Sequence, residues 1–434
     1  MRGLRDIVPA VTSERKVQES TSGVLDLLTR VTRVLFVNGE TTEQTVGWGV
    51  RAAEALGFRA TVIPRWGELS YRVEGPQGPV HDVEAAAPVA VNMNRVIGTV
   101  RAVDRFLSGQ ATLDETRSAL AAAAVLPGVS LGRFALATVV AACCLAAIFG
   151  AERPSTYPLI AVSAAIGAVV RRGLGKVSPN QLLQPFAAAL VAGLIGGLAQ
   201  RLELSSSLAL VAVCPCMILV PGPHFLNGLL DVVRARIALG ASRLGFAAAV
   251  TAAISAGLLI GLWLVGATLP PFAPSRPVPL WIDALAAGLV VAGYASFFSI
   301  PWRFLPLPML VGACAHAVRW YALSEGATAF AGAFLACLLV GAVISPLADR
   351  MRVPYAGLAF AAVVSLIPGV FVFRMASGVV ELARLGENAA QPLVLAVVAD
   401  ASTALTLLVA MGIGLILPKL CAEAFRPSDH VQPA

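Results

Sequence analysis

The chain has 434 residues, 57% hydrophobic and 13% charged, at a mean hydropathy of +0.79. A soluble fold of this size needs far less apolar content for its core, so an ordinary cytosolic enzyme is excluded. Residues 1–132 hold 14 Lys/Arg and 14 Asp/Glu, against 18 and 11 in the remainder, so the net charge of +7 lies wholly in the apolar part. That placement favours basic loop anchors of a membrane protein over a nucleic-acid binder, whose cations would cluster on a soluble surface.

Residues 1–22 mix charged and polar groups without an apolar h-region, which argues against a cleavable secretory signal and for a front domain kept inside the cell. Residues 23–130 have the pattern of a small cytoplasmic α+β domain. Val24, Leu27, Leu28, Val31, Val34 and Leu35 recur at helical spacing until Asn38-Gly39, a C-terminal stop signal. A second helix follows Thr41 or Thr42, carries Val46, Val50, Ala53 and Leu56, and stops at Gly57. Arg59 to Pro64 and Glu68 to Glu74 alternate apolar with polar residues around Trp66-Gly67, as a hairpin does. Two further helices are predicted, Met93 to Leu107 and Leu113 to Ala124, the latter with Thr112 and Glu115 as a capping box. The domain offers no catalytic constellation: its one histidine, His81, falls in a Gly/Pro-rich loop, and there is no Gly-x-Ser-x-Gly elbow or Walker-type loop.

Beyond Leu131 the chain reads as membrane. Pro, Gly and charge clusters divide it into ten apolar stretches, at residues 133–150, 156–170, 183–200, 207–222, 243–268, 281–299, 306–322, 328–347, 354–371 and 392–417. A span takes about 20 apolar residues, and about 30 per helix plus loop again gives ten. With the front domain inside, the inner loops and the C-terminal tail (residues 419–434) hold Arg171, Arg172, Lys176, Arg234, Arg236, Arg243, Arg303, Arg350, Arg352, Lys419 and Arg426; the outer loops hold Arg153, Arg201, Arg276, Arg319, Arg374 and Arg384. Eleven against six supports cytoplasmic placement of both termini, hence an even number of spans. All seven cysteines lie in this part, so no disulfide framework is expected. Cys214-Pro215-Cys216 reads more readily as small packing groups than as a metal site.

Two segments look alike. Leu219-Val220-Pro221-Gly222 is echoed 147 residues later by Leu366-Ile367-Pro368-Gly369, and Asn227-Gly228-Leu229-Leu230-Asp231 with Arg234 is echoed 150 later by Ser377-Gly378-Val379-Val380-Glu381 with Arg384. Arg171 falls opposite Arg319 at 148, and Phe149 opposite Phe298 at 149. The membrane part then divides into five-helix halves, residues 131–272 and 273–418, joined by the proline-rich segment Pro270 to Pro279. Five is odd, so the second half enters the membrane upside down, the inverted repeat that secondary transporters use for alternating access. At each Pro-Gly pair the helix is expected either to break, exposing carbonyls on one side and a helix N-terminus on the other, or simply to end at the surface.

The Leu-Val-Pro-Gly run with Asn227, Gly228 and Asp231, the later Leu-Ile-Pro-Gly run, and the segment Leu35 to Gly57 with its Asn-Gly-Glu-Thr-Thr turn together resemble the threonine/serine exporter family. The resemblance runs from about Val24 to Leu417, with both membrane halves on one chain. It implies a ten-helix inner-membrane carrier, without cofactor or nucleic-acid partner, that expels threonine, serine or another small polar solute in exchange for protons. Assembly into a homo-oligomer is left open.

Ionisable groups within spans are costly and so become candidates. Asp400 lies near the middle of the last span and is the first candidate for proton coupling, the alternative being a structural bond to Ser402, Thr403 or another helix. His316 and Arg319 share one face of the seventh span, placed to accept a proton or hold a carboxylate, although Arg319 reads more readily as an interfacial anchor; Asp283 begins the sixth. Asp231 with Arg234, and Glu381 with Arg384, have the spacing of i, i+3 ion pairs after the breaks at Pro221-Gly222 and Pro368-Gly369. An intramembrane aspartyl hydrolase using Asp283 and Asp400 would need the two carboxylates to share a proton, and a Gly-x-Gly-Asp setting is missing around both. A passive channel is a second rival.

Overall fold

A computed structural model of the chain describes residues 20–151, 153–204, 208–269 and 278–424. The front domain begins with α1 (Thr21–Val37), capped by Ser20, and turns at Gly39, whose φ of +95° suits a residue without a Cβ. Helix α2 (Thr42–Ala55) is capped by Thr41. The expected hairpin forms as β1 (Arg59–Arg65) and β2 (Gly67–Gly75), with Arg65 opposite Glu68. A third strand, β3 (Gly78–Ala86), was not foreseen; it pairs antiparallel with β2 and carries His81 exposed on the sheet rather than in a loop. Its residues are exposed almost throughout, so no apolar alternation marks it in the sequence. Helices α3 (Met93–Leu107) and α4 (Leu113–Ala124) complete the domain, and the Thr112/Glu115 capping box is formed. Two apolar clusters fill it, one under the sheet around Leu28, Phe36, Leu69 and Val73, the other between helices around Leu27, Val31, Val96 and Val103.

The remainder is helical. In chain order come α5 (Leu131–Ile148), α6 (Thr156–Val177), α7 (Leu183–Arg201), α8 (Leu208–Met217), α9 (Gly222–Val233) and α10 (Ile237–Leu264), then α11 (Leu280–Phe297), α12 (Pro306–Ser324), α13 (Ala329–Met351), α14 (Tyr355–Val363), α15 (Gly369–Leu385) and α16 (Gln391–Ala424). Among the described residues seven helices are long and apolar enough to cross a membrane, or nine if each of two bent pairs is one span. The bent pairs are α8/α9, at 52°, and α14/α15, at 62°. Helix α12 matches the seventh expected stretch, but His316, Arg319 and Trp320 lower its hydropathy and keep it outside that set.

The same order of elements occurs twice: three helices, a bent pair, one long helix. Helix α7 packs closely on α10 through Gly193, where a Cβ would meet the Leu258 carbonyl, and α13 on α16 through Gly341, where it would meet that of Leu415. The bent pairs also interlock. Gly222, at the start of α9, lies against the Phe360 ring of α14, and Gly369, at the start of α15, lies against Met217 of α8.

Several expectations are corrected. Helix α6 runs to Val177 and α10 begins at Ile237, so Arg171, Arg172, Lys176 and Arg243 are helical rather than in loops, as are Arg319 and Arg374. Helix α16 continues through Pro418 to Ala424, past the expected start of the tail, because Lys419 is buried, pairs with Glu423 at 3.1 Å and lies over the Tyr355 ring. Most of the proline-rich connection (270–277), the first 19 residues, Arg276 and Arg426 lie outside the described residues.

Candidate functional site

Each Pro-Gly pair sits at a bend between two packed helices, with Gly222, Pro368 and Gly369 buried and Pro221 half-buried. Proline cannot donate to the preceding turn, and the tight packing of each glycine fixes where the bend falls. At the first break the Tyr294 hydroxyl of α11 donates to the Met217 carbonyl at 2.7 Å, and Leu219 N–H donates to the Cys216 carbonyl at 3.0 Å. Carbonyls expected to be free there are thus partly used, by a tyrosine that no spacing singled out.

A cavity of about 340 Å³ opens beside this break. Its walls include Leu219, Val220, Pro221, Pro223 and His224, with Arg171 and Arg172 of α6, Gln184 and Pro185 of α7, Phe297 of α11 and Phe298 at its C-cap; Asn38, Val91, Asn92 and Arg95 of the front domain close one side. The second break has a smaller cavity, of about 60 Å³, lined by Leu366, Ile367, Pro368, Val370, Phe371, Arg319, Ala333, Ile148, Phe149, Ser365 and Leu407. The two walls correspond residue by residue at offsets of 147 to 149: Leu219 with Leu366, Pro221 with Pro368, Pro223 with Val370, Arg171 with Arg319, Pro185 with Ala333, and Phe298 with Phe149. In each cavity the phenylalanine comes from the opposite half of the chain. Arg319, read as an interfacial anchor or a charge on the shared face with His316, is therefore a wall residue.

His316 and Asp283 meet. His316 Nδ1 lies 3.0 Å from Asp283 Oδ2, and its Nε2 lies 2.7 Å from Ser365 Oγ, all three buried. The chain links α11, α12 and the turn that precedes Pro368. With the proton on Nδ1 held toward Asp283, Nε2 accepts from the serine; a second proton on Nε2 reverses that bond and neutralises the Asp283 charge. Ser365 was missed because serine in an apolar run carries no signal of its own.

Asp400 is 6% exposed and bonds another helix, through Arg374 of α15 at 3.0 Å, rather than Ser402 or Thr403. Asp283 and Asp400 thus have separate partners, where the hydrolase reading needs a shared proton. Glu381 and Arg384 do form the expected pair, exposed, with Arg384 Nε donating to Glu381 at 2.9 Å.

The pair expected between Asp231 and Arg234 is not formed. Arg234 turns to Glu423, while Asp231 lies 3.1 Å from Arg243 of α10, 3.7 Å from Arg236, and accepts from the Thr42 hydroxyl at 3.0 Å. Asn227 donates to the Gly39 carbonyl at 3.1 Å. The Asn-Gly-Glu-Thr-Thr turn of the front domain is therefore seated on α9 and α10. On its other side Glu40 is buried against α13, α14 and α16, accepting from Thr41 N–H at 2.7 Å. Loss of solvent pushes the Glu40 carboxyl up to about 7; the Thr41 bond and the nearby Lys419 ammonium oppose that rise, and Asp349 adds to it. Spacing cannot reveal such contacts, because the partners are some 190 residues or more apart.

Broken helices beside buried charges, with a half-polar cavity at the first break and a small, mainly apolar one at the second, fit a membrane transporter of small polar solutes. The chain belongs to the threonine/serine exporter family: the family model for a threonine/serine exporter matches residues 26–265, and that described as "Threonine/Serine exporter, ThrE" matches residues 283–421. No solved structure matches it. The family is one of exporters and not of catalysts, and no group of three or more His, Cys, Asp or Glu is placed to hold a metal among the described residues.

Proposed function

We propose that this protein expels threonine, serine or a similar small hydroxylated amino acid across the inner (plasma) membrane in exchange for protons, both termini being cytoplasmic. Its ten spans, with α12 as the tenth, form two five-helix halves of opposite orientation that rock between inward-open and outward-open forms. The observation that carries this is the matched construction of the two cavities, each built from one half's break, arginine and third helix and closed by a phenylalanine of the other half. Equivalent walls of unequal size are what one state of a two-state carrier leaves, one gate open and its counterpart shut. The larger cavity borders the front domain, so this form faces the cytoplasm.

Proton coupling falls to the Asp283–His316–Ser365 chain. It abuts the shut cavity through Ser365, and a proton on His316 changes both the charge at Asp283 and the bond that holds the turn before Pro368. Asp400 with Arg374 is the second candidate. One proton moved per solute across 100 mV supplies about 2.3 kcal/mol, on the order of a 50-fold concentration ratio.

The deciding experiment is efflux of labelled threonine and serine from loaded proteoliposomes with an imposed proton gradient. Saturable efflux that drops on adding a protonophore is expected. Unsaturable flux indifferent to the protonophore would establish the channel instead.

A further inference from the structure

The open cavity has three guanidinium groups in its wall, from Arg95, Arg171 and Arg172, and no carboxylate. They are not equivalent. Arg95 Nε is occupied by the Leu126 carbonyl at 2.9 Å, and the Arg172 guanidinium stacks on Phe134 at 4.3 Å. The Arg171 guanidinium stacks on Phe297 at 4.3 Å, and its Nη1 is buried with no hydrogen-bond partner. An unsatisfied buried donor costs free energy unless something fills it. A face held by an aromatic ring with an edge left free is the arrangement that takes a carboxylate through two parallel N–H bonds. Arg319 occupies the equivalent place beside the second break, 148 residues on.

We infer that Arg171 and Arg319 are the two receptors for the carboxylate of the transported solute, Arg171 while the first-break cavity is open and Arg319 while its counterpart is open. This rests on the exporter reading and adds to it the group on the solute that is recognised and the residue that recognises it from each side. The neutral amides of Gln181 and Gln184 on the same wall offer the ammonium and hydroxyl ends acceptors that carry no charge. A solute lacking a carboxylate leaves Arg171 as unpaired as it is now, so the site discriminates by that group.

The test compares threonine with threoninol, in which a hydroxymethyl group replaces the carboxylate, in proteoliposomes holding the full chain. Threonine should compete with labelled threonine from the cytoplasmic face, and threoninol at least tenfold less well. Arg171→Gln should raise the half-saturating concentration at the cytoplasmic face tenfold or more, Arg171→Lys should recover part of that loss, and Arg319→Gln should do the same only at the opposite face, read by counterflow. An unchanged half-saturating concentration in Arg171→Gln, or equal competition by threoninol, overturns the inference. Folding of each variant is checked by its melting temperature; if Arg171→Gln does not fold, Arg171→Lys decides, since a point charge cannot reproduce two parallel bonds. If the wild type moves no threonine, the exporter reading fails separately. The inference is then read from the melting temperature of the purified protein with lactate against 1,2-propanediol: a rise with lactate alone that Arg171→Gln abolishes upholds it, and no rise overturns it.

Discussion

Glu40 ties the front domain to the membrane part and makes its stability depend on pH. Its carboxyl is 2% exposed and is pushed up to about 7 from an ordinary 4.5. Between those values the unfolded chain has lost this proton and the folded chain has kept it, so the folded state binds more protons and stability falls as pH rises. The contribution is full below pH 4.5, shrinks across the window and is gone above 7; at about 1.4 kcal/mol per pH unit the total is on the order of 3 kcal/mol. Lys419 from α16 and Asp349 from α13 face the carboxyl, and Arg51, Asp104 and Arg352 line the same cavity, of about 430 Å³. Glu40→Gln removes the titration and keeps the shape. Denaturant titration of the full chain in detergent, followed by tryptophan fluorescence with Trp48 in the cavity wall as local reporter, should give a wild-type stability that declines from pH 4.5 to 7 and a variant whose curve is flatter by that amount. The same slope in both proteins would refute the assignment.

Asp231→Asn leaves the fully buried Arg243 without its anion and should cost about 3–5 kcal/mol in the same denaturation assay, whereas Glu381→Gln, in an exposed pair, should leave the midpoint in place. His316→Gln should preserve threonine exchange and abolish its dependence on a proton gradient; if Asp400→Asn does that and His316→Gln does not, coupling belongs to Asp400. Gly222→Ala drives a methyl into the buried Phe360 ring and should destabilise by about 1–3 kcal/mol, while Gly369→Ala meets a flexible Met217 side chain and should be milder; equal midpoints would show that the two breaks are not packed as described.

What the sequence revealed follows from which signals are local. The four front-domain helices and the hairpin rest on periodicity, caps and turn residues within a few positions and are found where expected; each of the ten apolar stretches holds helix, but α6, α10 and α16 overrun their expected bounds and seven to nine spans have membrane length among the described residues. Strand β3 escaped because its residues are exposed and only backbone pairing with β2 defines it. Among candidate residues, His316 and Asp283 were named separately and meet only through folding, while Asp231 exchanged its expected partner for one twelve positions along the chain. Arg171 and Arg319 stood out as a repeat match, but no spacing says that both line cavities.

The front domain bonds both halves of the membrane part, so on the alternating-access reading one set of bonds must give way when the halves rock. Toward the first half it offers Thr42 to the buried Asp231–Arg243 pair, Gly39 to Asn227, and Glu43 to Arg236 at 3.0 Å. Toward the second it offers the Met93 N–H to the Phe298 carbonyl at 2.9 Å, Asp104 to a half-exposed Arg352, and Glu40, whose carboxyl burial pushes up to about 7. Losing the Thr42 bond to a buried, charged carboxylate costs about 1.5–3 kcal/mol, an exposed ion pair about 0–1 and a backbone bond about 1. The second set yields first, and the front domain travels with α9 and α10. Thiol cross-linkers distinguish the sets in a background with the exposed Cys314 and Cys421 replaced. Joining Glu43→Cys to Arg236→Cys should leave threonine exchange intact, and joining Asp104→Cys to Arg352→Cys should stop it; the reverse result would place the front domain with the second half.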